Sequence, residues 1–123
     1  MTEQEKLELA AEACGFRHYK YMPTHEGLKI LKGPKSPFGW MFRPHTNPAH
    51  SRQMQMNLGI ALRFERHSLG LIKVTASHPG DADNIPIEKS AYFATEAQGT
   101  YHTCQVVLDV AAALGVKYLS KKD

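Results

Sequence analysis

Hydrophobic and polar residues change rhythm several times along this chain, and each change marks an element. Leu7, Ala10, Ala11 and Cys14 recur at i, i+3, i+4 and i+7, the spacing of one face of a helix. Thr2 and Glu5 stand before that stripe as a capping box, in which each side chain serves the other's free backbone N–H. Glu3, Glu5 and Glu8 favour the positive end of the helix dipole. Gly15 ends the helix, because glycine enters the left-handed conformation cheaply. The tyrosine-rich alternation of Phe16–Met22 predicts a strand that Pro23 stops, and Gly27–Lys32 predicts a second. Residues 33–39 hold two Pro and two Gly and read as loop. Trp40-Met-Phe42 is placed at a sheet edge before Pro44.

Further on, Asn47-Pro48 is a strong helix start. Asn is among the best N-caps, and Pro at the first helical position gives up an N–H that has no partner there anyway. The predicted helix is Pro48–Asn57, ended by Gly59. Ile60, Leu62 and Phe64 alternate with polar partners, as do residues of Leu69–Ser77, so Ile60–Glu65 and Leu69–Ser77 form a hairpin across Arg66-His-Ser-Leu-Gly70. His78–Glu88 reads as a long turn-rich loop, with Tyr92–Thr95 leading into the last helix. There Cys104, Val107 and Ala111 make one apolar row, and Val106, Val110 and Leu114 the next. Gly99 lies inside this helix or marks its start, Gly115 caps it, and residues 115–123 form a solvated, partly flexible tail. The fold class is α+β: an antiparallel β-sheet packed by the N- and C-terminal helices, in one domain over residues 1–123.

Composition narrows the function classes. An apolar fraction of 42% with 22% charged residues belongs to folded globular chains, not disordered ones. No apolar run reaches the ~18–20 residues a membrane span needs. The chain opens acidic and polar, unlike a secretory leader, so the cytoplasm is the expected location and no membrane the expectation for partners. Cys14 and Cys104 form no CxxC pair and fit reduced core thiols. Charge is unevenly spread. Residues 16–73 carry ten Lys or Arg against Glu26 and Glu65, a net of +8, between acidic flanks at −3 and −2. A basic middle of this kind either faces an anionic partner or is neutralised by the acidic helices beside it.

The order of elements also carries a resemblance. Trp40, Pro44, Asn47-Pro48, Leu58-Gly59-Ile60, Val74, Ala76 and Ala111-Ala-Ala-Leu-Gly115 are similar to the pattern of the phage ABA-sandwich domain proteins, small phage- and prophage-encoded proteins mostly without assigned function. The segments 26–39 and 78–94 depart from that pattern. The resemblance implies an antiparallel sheet with packed helices, a phage accessory role in the host cytoplasm, and no catalytic residues to carry over.

Candidate chemistry is sparse. Seven histidines are spread along the chain, but His45 and His50 are five apart, and His102 and Cys104 two apart, so neither pair shares a helix face; no metal and no cofactor is expected. There is no Gly-x-Ser-x-Gly and no phosphate-binding glycine loop, Cys104 sits in an apolar stripe, and Asp81, Asp83 and Glu88 share a loop. The chain is therefore read as not an enzyme. Binding remains. Trp40, Phe42, Arg43, His45 and Arg52 offer the aromatic and arginine side chains typical of interface anchors, and Tyr19-Lys20-Tyr21 mixes aromatic and basic groups as single-strand binders do. The expectation is an accessory protein that binds and modulates a host macromolecule, a host protein such as a defence component first, with nucleic acid or a nucleotide as the alternative and homo-oligomer formation open.

Overall fold

The computed structural model describes residues 1–32, 41–80 and 85–122. Its first helix, α1 (Glu3–Ala13), begins where Thr2 Oγ1 accepts from the Glu5 N–H. The Glu5 carboxylate then accepts from the Thr2 hydroxyl rather than from the Thr2 backbone. Gly15, at φ +94°, lets the chain turn back so that Phe16 N–H reaches the Ala11 carbonyl and Gly15 N–H the Glu12 carbonyl. That is the Schellman pairing, and it satisfies two carbonyls the helix end leaves free. Leu7, Ala10 and Ala11 are buried as the stripe predicts.

The strands form two separate antiparallel meanders, where the sequence suggested one sheet. The first runs β1 (His18–Met22), β2 (Gly27–Lys32), β3 (Met41–Phe42); the second runs β4 (Ala61–Arg66), β5 (Ile72–His78), β6 (Ile87–Phe93). Between them lies α2 (Pro48–Leu58), where the Asn47 side chain accepts from the N–H groups of Ala49 and His50 and Gly59 closes the end at φ +72°. The predicted loop 33–39 and Trp40 lie outside the described residues, as do Asp81 and Asp83.

Two expectations are corrected around the second meander. Leu69 belongs to the hairpin tip, left-handed at φ +66° and 96% exposed, and the returning strand starts at Ile72. Between the predicted loop His78–Glu88 and the lead-in Tyr92–Thr95, and overlapping both, the chain forms β6, paired with β5 from Ile72↔Phe93 to His78↔Ile87. Side chains alternate across the pleat, so Leu62, Phe64, Val74, Ala76, Ile87, Ala91 and Phe93 share the inner face. Arg63, Glu65, Thr75, Glu88 and Ser90 share the outer one, where Arg63 reaches both Glu65 and Glu88 and Thr75 bonds Ser90.

The last helix, α3 (Glu96–Lys122), covers the inner face of β5 and β6 and packs along α1. Val106, Val107, Leu108, Val110 and Ala111 are buried there, each valine or leucine worth about 1.5–3 kcal/mol in area removed from water. Neither glycine in α3 ends it. Gly99 is buried with the Phe93 ring against it, and at Gly115 the Leu9 backbone of α1 occupies the space a Cβ would need. The helix continues to Lys122 instead of giving way to a tail at 115.

Candidate functional site

The predicted docking patch does not assemble as a surface. Phe42 is fully buried, its ring edge-on to Phe16 with centroids 5.6 Å apart, because β3 pairs Phe42 with Leu28 on the core side of the first meander. His45 is 1% exposed, with Nε2 2.7 Å from Glu3 Oε1. Burial holds its pKa below the ordinary value, while the Glu3 and Glu26 carboxylates and the Glu26 backbone push it back up and Arg43 adds to the lowering. Arg43 is half-buried, its stem lying across Gly27 and its Nε shielded from solvent. Its backbone N–H donates to His50 Nδ1 at 3.1 Å, and the His50 pKa is likewise lowered, by burial first and then by the Arg43 charge. The turn from Arg43 to His50 is thus a packed joint between β3, α1 and α2. Of the four predicted residues that are described, Arg52 alone is exposed; Trp40 lies outside the described residues.

Arg52 does line a groove. α2 supplies Pro48, Ser51, Arg52 and Gln55; β4 supplies Leu62 and Phe64; Phe93 and the start of α3 (Glu96, Gly99, Thr100, Thr103, Cys104) complete an open hollow of about 420 Å³. It arises because α3 packs over β5 and β6, leaving the inner face of β4 overhanging with Phe64 56% exposed. Sequence reasoning missed this site, since its walls come from two separate segments, 48–64 and 93–104, that only the packing brings together. Its one thiol, Cys104, has its pKa raised by burial, with a Ser51 hydrogen bond pulling the other way. A thiol kept protonated is a poor nucleophile. Burial likewise pushes the Cys14 thiol up to about 12.

A second surface matches the charge imbalance more directly. On β1 and β2, Lys20 stands opposite Lys29, and Lys29 opposite Met41, on the side of the meander turned away from the core. His18, two residues before Lys20 on β1, is exposed, and Leu31 on β2 is 57% exposed. Like charges directly across a strand pair repel, and among the described residues no carboxylate pairs with Lys20 or Lys29. Tyr19 and Tyr21, aromatic partners expected there, instead turn inward onto the core. The Tyr19 hydroxyl donates to Glu12 Oε1 at 2.8 Å, and burial together with Glu12 pushes the phenol's pKa up.

Among the described residues no three His, Cys, Asp or Glu side chains converge as a metal site requires, and no helix is long and apolar enough to cross a membrane. No protein-family model, curated protein or solved structure matches the chain.

Proposed function

We propose that this is a non-catalytic binding protein whose partner is a nucleic acid held on the outer face of the β1–β2–β3 meander. The observation that carries this reading is the Lys20–Lys29 cross-strand pair without a facing carboxylate. Such a pair repels in the free protein and is relieved by a polyanion. Ammonium groups serve as point charges for phosphates, and with Tyr19 and Tyr21 turned inward the contacts are to the backbone, not to stacked bases. Binding of this type is sequence-tolerant and strongly salt-dependent. The patch assigned to a host-protein partner does not form, because Phe42 and His45 are buried and Arg43 is half-buried. An accessory role of the phage ABA-sandwich kind is compatible with either partner.

The test is fluorescence anisotropy with labelled single-stranded and duplex oligonucleotides over a salt series. Expected is binding that weakens linearly in log–log form, with the slope reduced by about one for each lysine removed by Lys20→Gln or Lys29→Gln. No binding at low salt, or equal competition by polyglutamate, would sink the nucleic-acid reading.

A further inference from the structure

We infer that the protein self-associates through the free edge of β4, two copies joining their second meanders into one continuous six-stranded sheet about a two-fold axis through Phe64. This surface is distinct from the proposed nucleic-acid face, so the two ideas stand or fall separately. β4 has β5 on one side only, and among the described residues no strand pairs with its other edge. An exposed edge is a template for another strand unless charge or shape guards it. Here the guard is Arg63 and Glu65, two residues apart and of opposite sign, with Phe64 exposed between them.

Geometry then selects the register. A two-fold axis perpendicular to the sheet keeps inner faces together, so the antiparallel pairing must centre on a residue and not between two. Centring on Arg63 sets arginine against arginine, and centring on Glu65 sets glutamate against glutamate. Centring on Phe64 sets each Arg63 opposite the second copy's Glu65, twice by symmetry, with both pairs on the outer face. On the inner face the same register brings the two Phe64 rings together beside the groove that α2 helps to line and lays the Arg66 stem against Leu62. The groove and the strand edge, both left open in one copy, are thus covered by one occupant. Opposite-charge and aromatic cross-strand pairs are the favourable kinds.

The experiment is sedimentation velocity of the full chain over a concentration series. Wild type is expected to dimerise. Arg63→Glu leaves two glutamates facing two glutamates, and Glu65→Arg leaves four arginines, so each alone associates about tenfold or more weakly. An equimolar mixture of the two variants restores every pair and forms a heterodimer. Both residues are largely exposed, so the variants are expected to melt cooperatively near wild type. Phe64→Cys gives an independent reading of register, because directly opposed strand residues lie about 4.5–5.5 Å apart at Cα, within disulfide reach, and mild oxidation should link the copies covalently. A monomeric wild type throughout the series, a mixture that stays monomeric, or a Phe64→Cys protein that fails to cross-link each overturns the proposal.

Discussion

Replacing Gly115 with alanine sets two physical arguments against each other. Inside a helix, glycine costs about 1 kcal/mol relative to alanine, so propensity alone predicts that Gly115→Ala stabilises. The packing predicts the reverse. A Cβ at 115 would fall on the Leu9 carbonyl, 2.6 Å from its carbon and 3.0 Å from the Leu9 Cα, and backbone has no rotamer through which to retreat. Ordinary contact requires α1 and α3 to part by about 1 Å, which forfeits a quarter to a half of the dispersion along the seam. That seam includes Leu7, Ala10, Ala11, Val107 and Val110, all fully buried. Overpacking of this kind costs about 1–3 kcal/mol, and a backbone obstacle belongs at the upper end. Setting off the propensity gain leaves a net loss of about 2 kcal/mol, or about 6–10 °C in Tm for a chain of this size. Thermal and urea denaturation of Gly115→Ala and Gly115→Asn measure it. Asparagine is tolerated at a helix C-terminus, so a glycine acting as a cap would accept it, whereas the helix crossing rejects it more strongly than alanine. Gly99→Ala is the control: its Cβ would meet the Phe93 ring at 2.6 Å, a side chain that can tilt, and a smaller loss is expected. A Gly115→Ala protein that melts at or above wild type would refute the close approach of α1.

Val107→Asp places a carboxylate at a fully buried position and should cost several kcal/mol, enough to abolish cooperative unfolding in a protein of ordinary stability; a soluble mutant with a sharp melt would count against this core. Asn47→Ala removes the acceptor for the Ala49 and His50 N–H groups and should lower stability by about 1 kcal/mol, read by urea denaturation. His45 and His50 both have pKa values lowered from 6.5, chiefly by burial. Below that value the unfolded chain takes up protons that the folded chain refuses, so Tm should fall as pH drops from neutral through the lowered values. His50→Asn should flatten that fall, and a Tm independent of pH between about 7 and 5 would contradict the burial argument.

Legibility in the sequence followed the range of the interactions. The caps at Thr2 and Asn47-Pro48 and the turns at Gly15 and Gly59 depend on bonds within five residues, and their residue types announce them. β6 was obscured because Pro86 and the acidic stretch before it read as loop, and Lys89 interrupts the alternation of Ile87, Ala91 and Phe93. Gly115 was misread because glycine carries the same local signal for a helix end as for a close approach, and only the position of Leu9 separates the two. The candidate site suffered most. Aromatic and arginine residues near Arg43 look like an anchor patch until β2 and α1 bury Phe42 and His45, while the groove and the Lys20–Lys29 pair exist only through strand register and packing between distant segments.

The order in which the elements leave the ribosome has a consequence for this architecture. Both meanders and α1 precede α3 in the chain, yet α3 supplies the aliphatic surface on which α1 and the inner faces of β5 and β6 are buried. Until α3 is made, Val74, Ala76, Phe93 and the α1 stripe lack the helix that covers most of them, and the nascent chain exposes that surface. Closure of these faces thus waits until α3 has been made. In native-state hydrogen exchange, the amides around Val107 and Val110 should open only with the whole molecule.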